Sequence, residues 1–151
     1  GMERSGGLYV VVLSLPRPAL IKVGALGKIP FGAGTYMYVG SAIAGLEQRI
    51  ARHKARQGKK LRWHIDYLRQ RAKWMDALTF SPDGGECALA RRVVEAVEGE
   101  WAYPRFGASD CRCRGHLAHA PGSASRAISA LRSLGGRELA KGGGPAPMRV
   151  E

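Results

Sequence analysis

The sequence predicts an α+β domain: a small central, mostly antiparallel sheet flanked by three helices, followed by an irregular Cys/His segment and a loose C-terminal tail. Three observations predict it. Strand-like apolar runs punctuated by glycine and proline fill residues 8–40. Two helical patterns, a further strand and a third helical pattern then follow in order. Finally, 151 residues suit one folded domain. Residues 1–121 are expected to form that domain, and residues 122–151, rich in Gly, Ala and Arg, a partly flexible tail.

The elements follow in order. Leu8 to Leu15 is apolar at nearly every position, as a central strand covered on both faces should be. Pro16-Arg17-Pro18 ends it, because proline has no donor for a ladder. Leu20 to Val23 and Lys28 to Phe31 are short strands among glycines, and Gly32-Ala33-Gly34 turns the chain into Thr35 to Gly40. In that strand Tyr36 and Tyr38 share one face, and Met37 and Val39 the other. Helices are expected over Gly45 to Arg56 and Leu61 to Lys73, with Gly58 between them. Trp74 to Phe80 is a strand stopped by Ser81-Pro82-Asp83-Gly84-Gly85, and Glu86 to Val97 the third helix. Trp101 to His119 is irregular and holds several Cys, His and aromatic residues. Residues 124–134 have the composition of a short helix, and the Gly-rich end is loose.

Composition removes several classes. Apolar residues at 45% and charged residues at 24% suit a packed domain. No apolar run reaches the ~20 residues of a membrane span, so no membrane partner is expected. Residues 8–15 lack the basic leader and cleavage site of a signal peptide. Three cysteines, an odd number, argue against a disulfide scaffold and suit the cytoplasm.

The charge points to a partner. Twenty-four Lys and Arg against twelve Asp and Glu give +12 and a pI of 10.3, a field that favours polyanions, nucleic acid first. Ten basic residues lie between Arg49 and Lys73, opposed by Asp66 alone. Arg52, Arg56, Lys59, Lys60 and Arg62 are the candidate phosphate contacts among them, and their binding should be strongly salt-dependent. A solvated helical surface is the alternative.

Two arginine and histidine positions stand out. At 100° per residue, Leu46, Ile50, Arg49 and His53 fall within one arc of the first helix. Arg49 and His53 therefore flank the apolar stripe and point toward the sheet. A guanidinium taken partly from water needs either an anion or a structural carboxylate beside it. On the third helix Glu86 projects into the stripe of Leu89, Ala90, Val93 and Val97. It complements the helix dipole, or it holds a metal beside the sheet.

These residues resemble a known family. Gly7-Leu8-Tyr9 and Tyr38-Val39-Gly40 resemble the two signature segments of the GIY-YIG endonucleases, and Arg49 with His53 resembles that family's helix pattern. Within it, the segments GTYMYVGSA (Gly34 to Ala42), RIARH (Arg49 to His53), WHIDYL (Trp63 to Leu68) and FGASDCRC (Phe106 to Cys113) are similar to the Uri-type branch. The resemblance covers residues 7–107, about two-thirds of the chain. It implies a phosphodiester hydrolase acting on DNA in repair, restriction or mobile-element defence. Tyr9 would help activate the attacking water, Tyr38 would line the site, Arg49 would stabilise the phosphorane and His53 would assist. A glutamate would hold Mg²⁺ or Mn²⁺. Helical facing favours Glu86 for that role, and spacing back from Pro104 favours Glu95.

Two departures accompany it. Twenty-eight residues separate Tyr9 from Tyr38, far more than a short hairpin needs. Gly107 stands where an asparagine is expected. Loss of the metal glutamate would leave a nucleic-acid-binding module of the same fold. The Cys/His segment offers a third possibility: Cys111, Cys113, His116 and His119 together could hold a structural Zn²⁺, against the alternative of buried thiols and surface histidines. The branch resemblance implies that His64 helps line the cleft, against the alternative of a satisfied histidine on the helix flank, and Trp63, Trp74 and Trp101 are core or core-edge residues.

Overall fold

The computed structural model describes residues 6–58, 60–103 and 116–139. Strand β1 is Gly7–Leu15, and β2 (Ala19–Lys22) and β3 (Lys28–Phe31) form a separate two-stranded ladder. Strand β4 (Gly34–Ala42) leads into α1 (Leu46–Lys54) and α2 (His64–Arg71). Then come β5 (Lys73–Phe80), α3 (Gly85–Ala96), β6 (Glu100–Trp101), β7 (Leu117–Ala120), α4 (Ala124–Ser133) and β8 (Arg137–Glu138). The main sheet has the order β6-β7-β4-β1-β5-β8, and each pairing is antiparallel. No helix among the described residues is long and apolar enough to cross a membrane.

Alternation along the strands divides the core in two. Tyr9, Val11, Leu13, Tyr36 and Tyr38 face α1, α2 and the β2–β3 ladder, where Ile50, Ile65, Leu68, Ile21 and Ile29 meet them. Leu8, Val10, Val12, Met37 and Val39 face the opposite way, against Leu89, Ala90 and Val93 of α3 and Ala127 and Leu131 of α4. The product is a three-layer sandwich with β1 at its centre, buried on both faces as its unbroken apolar sequence demands.

Three expectations change, and one open point closes. The short helix anticipated over 124–134 forms as α4, and it packs on the sheet, with β8 paired to β5, where a tail beginning at 122 was expected. The cause is an apolar stripe (Ala127, Ile128, Leu131, Leu134) within Ser- and Gly-rich surroundings, with the Ser123 hydroxyl capping the helix through the amide of Arg126. The stretch 101–119 is not irregular at its end: β7 pairs along β4 inside the sheet. The second helix begins at His64 rather than Leu61, because the Asp66 carboxylate accepts the amides of Arg62 and Trp63 and fixes the start there. Last, the 28-residue interval between Tyr9 and Tyr38 is taken up by the β2–β3 excursion. β1 and β4 still pair directly, Tyr9 opposite Gly40 and Val11 opposite Tyr38, so the tyrosines are diagonal neighbours on one face.

Candidate active site

A cavity of about 520 Å³ opens where the end of β4, α1, the start of α2 and the start of α3 converge, and Tyr9, Tyr38, Arg49, Arg62, His64 and Glu86 are among its walls. Its floor comes from the strands. Tyr9 is 2% exposed, and its hydroxyl lies 2.6 Å from His53 Nε2. Gly40, opposite Tyr9, makes this placement possible: a Cβ there would come within 2.4 Å of the Tyr9 hydroxyl oxygen. Tyr38 stands edge-on to the same imidazole, ring centroids 5.8 Å apart. Burial pushes the Tyr9 phenol up to about 12, with Arg49 pulling the other way, and pushes Tyr38 up as well. Both rings are therefore neutral phenols at ordinary pH.

Helix α1 supplies the charge. As the helical wheel predicts, Arg49 and His53 turn toward the sheet, and His53 is buried. Arg49 donates to the Ser41 carbonyl at 2.9 Å, and its guanidinium lies 4.8 Å from the centroid of the Trp63 ring. Among the described residues no carboxylate comes within ion-pair distance of Arg49. Its charge faces the cavity.

The acidic partner of α1 is engaged elsewhere. Asp66, wholly buried, receives both Nη atoms of Arg52 at 3.0 and 3.2 Å. Arg52 also lies over Trp63 and donates to the Lys60 carbonyl. Arg56 donates to the Ala72 carbonyl at the end of α2. These two arginines, expected among the phosphate contacts, also tie α1 to α2 and its entry loop. Asp66, on the helix side away from the sheet, faces α1 rather than water, which the periodicity of α2 alone does not reveal. Lys60 and Arg62 remain exposed, and Arg62 lines the cavity. Lys59 lies outside the described residues.

Glu86 reaches the cavity from the first turn of α3, and Glu95 is exposed on the other side of that helix, as helical facing predicted. Ser41 Oγ donates to Glu86 Oε2, and His116 Nδ1 lies 3.3 Å from Oε1. Each carboxylate oxygen keeps a further lone pair. Among the described residues no three His, Cys, Asp or Glu side chains cluster as a ready metal cage. One half-buried carboxylate in an open cavity fits Mg²⁺ or Mn²⁺, which keep several waters and take substrate oxygens.

The histidines of the expected zinc group are not brought together. His116 packs beside α3, with Nε2 3.5 Å from Cys87 Sγ. His119 lies on the opposite face of the sheet, stacked on Tyr36 with centroids 4.5 Å apart and bonded to the Ala33 carbonyl. Parity along the chain entering β7 turns the two imidazoles to opposite faces. Cys111, Cys113 and the segment Pro104 to Gly107 lie outside the described residues.

The sequence argument missed three contributors. Ser41 sits one place beyond the second signature segment and turns to the α3 side to meet Glu86. Trp63 is a cavity wall beneath two guanidiniums as well as a core-edge residue. His116 joins Glu86 across the sheet edge, a contact between residues thirty positions apart that no local pattern announces. His64 does line the cavity, and burial lowers its imidazole below the ordinary range.

The model of a family described as a domain of unknown function, DUF123, matches residues 8–135, and the chain belongs to that family. The match runs through α4. No curated protein and no solved structure matches the chain.

Proposed function

We propose that this protein is a divalent-metal-dependent endonuclease of the GIY-YIG type that hydrolyses phosphodiester bonds in DNA. The observation that carries the reading is Arg49: a guanidinium turned toward the sheet, without a carboxylate partner among the described residues, on the wall of a cavity shared with Glu86 and two buried tyrosines. A fixed cation beside a space large enough for a phosphate is what a developing phosphorane requires.

The residues divide the chemistry. Water attacks phosphorus, forming one P–O bond while the bond to the leaving oxygen breaks. Burial pushes the Tyr9 phenol up to about 12, so it does not act as a phenolate. It acts as a relay: its oxygen takes the proton of the attacking water as its own proton passes to His53 Nε2, 2.6 Å away. The leaving oxygen takes a proton from solvent. Arg49 bears on the equatorial oxygens, where negative charge grows. Glu86 would hold Mg²⁺ or Mn²⁺, and the ion would supply a Lewis acid to the phosphoryl group. Ser41 and His116 fix the rotamer of that carboxylate. Lys60 and Arg62 extend the positive surface along the nucleic acid, in keeping with a net charge of +12. The chemistry has no need of a membrane or an oxidising compartment, and the cytoplasm is its proposed place.

A non-cleaving module of the same fold is the second reading, favoured by the engagement of both Glu86 oxygens by protein groups. Incubation with supercoiled plasmid, branched DNA and RNA, with and without Mg²⁺ or Mn²⁺, separates the two. Cleavage that needs the ion and disappears in Glu86→Gln supports the nuclease. Salt-sensitive binding without cleavage at any ion concentration supports the module, and cleavage that survives Glu86→Gln refutes the assignment of the carboxylate.

A further inference from the structure

Ile43 is 99% exposed, against 38% to 59% for the other large apolar side chains on the described surface. It is not carried on a loose loop. Ala42 before it is paired with Gly7, and Gly45 after it adopts the left-handed conformation that opens α1. The carbonyls of Ala42 and Ile43 press on Gly6 so closely that a Cβ at Gly6 would lie within 2.5 Å and 2.0 Å of them. The short link 43–44 is thus held at both ends and along its back, with the isoleucine projected into water. It also belongs to the wall of the cavity that holds Arg49, Arg62 and Glu86.

We propose that Ile43 is an apolar wedge that enters the base stack of duplex DNA beside the phosphate held in the cavity. The inference rests on the nuclease reading and names the form of substrate the site prefers. An aliphatic side chain offers nothing to a phosphate. A phosphate seated against Arg49 and Glu86 is flanked by two stacked bases, and these are the apolar surfaces brought to that rim. Isoleucine is among the residues that part base steps in kinked protein–DNA complexes. A rigid backbone is what makes the insertion effective, since a mobile loop would yield rather than open the stack. Parting the step bends the duplex and brings its backbone toward Lys60 and Arg62. Duplexes whose stack is already interrupted, at a mismatch or a gap, gain less from the wedge than intact ones.

The test uses the full chain, Ile43→Ser and Ile43→Met, with duplexes carrying 2-aminopurine at successive positions. Binding of the wild type and of Ile43→Met should raise the fluorescence at one step, and Ile43→Ser should not. Ile43→Ser should weaken binding to intact duplex roughly tenfold, and binding to a duplex gapped or mismatched at that step by less than about twofold. Tight binding with flat fluorescence at every position, or an equal loss on intact and gapped duplexes, overturns the wedge and leaves the nuclease reading standing. Self-association by sedimentation that Ile43→Ser abolishes also overturns it, because the residue then serves a second copy of the chain. No binding or cleavage of any nucleic acid at low salt removes the nuclease reading, and the wedge with it.

Discussion

The two faces of the central sheet are built by the same strands and the same alternation, and they differ in what they bury. On the α3 and α4 side the strands present Leu8, Val10, Val12, Met37 and Val39 to an aliphatic layer. On the α1 and α2 side the same strands present Tyr9, Tyr36 and Tyr38, and the helices answer with His53 and Arg49. Burying polar groups is costly unless each finds a partner. Nearly every one of them has a partner within the protein: Tyr9 has His53, Tyr36 donates to the Gly32 carbonyl, and Asp66 has Arg52. The charge of Arg49 has no counter-ion among the described residues. Both faces bury an apolar cluster, and the α1–α2 face in addition keeps the Arg49 guanidinium beside open space.

Substitutions that act on one face alone sharpen this contrast. The largest effect is expected at Glu86: Glu86→Gln should lower metal-dependent cleavage by ~10²-fold or more, with a melting temperature close to that of the wild type. A parallel loss of stability would mean that the carboxylate is structural, a partner for Ser41 and His116 and nothing more. On the opposite face Leu89→Ala should cost about 3 kcal/mol in urea unfolding, within the range for truncating a buried leucine, while cleavage per folded molecule stays unchanged. If activity falls with it, the two faces are not independent.

Asp66→Ala should cost about 2 kcal/mol, less than the ~3–5 kcal/mol typical of a broken buried pair, because Arg52 keeps partial access to water. It should also loosen the start of α2, detected as faster amide exchange at Trp63. Unchanged stability would show that the fork between Arg52 and Asp66 does not hold the two helices together.

The smallest effect is a pH dependence. Burial raises the phenols of Tyr9 and Tyr36 from 10.0 to about 12 in the folded chain. Between those values the folded state binds more protons than the unfolded one, so stability falls as pH rises from ~10 to ~12, and its full contribution is present below ~10. Tyr9→Phe should flatten this decline. In neutral solution the same variant should lose about 1 kcal/mol with its hydrogen bond to His53. A decline as steep as that of the wild type would place the alkaline transition on other groups.

Much of the polar face was legible in the sequence because it obeys short periods. Alternation placed Tyr36 and Tyr38 on one side, and the 100° step turned Arg49 and His53 inward and Glu95 outward. Pairings between distant segments were not legible. The partner of Asp66 is fourteen residues away on another helix, and the contact of Glu86 with His116 depends on where β7 enters the sheet. The two histidines of the candidate zinc group show the same limit: they are three positions apart in sequence, and strand parity puts them on opposite faces. Helix α4 was legible as a short helix over 124–134, but its packing on the sheet was not, since its short apolar stripe lies among residues typical of a linker.

The most direct test of the Arg49 charge is single-turnover cleavage by Arg49→Ala at saturating protein, measured beside duplex binding without metal. The account predicts a rate lower by ~10²- to 10³-fold with binding changed by less than about tenfold, because the guanidinium acts on charge that grows in the transition state. An unchanged rate, or a rate that falls only as far as binding does, would contradict it.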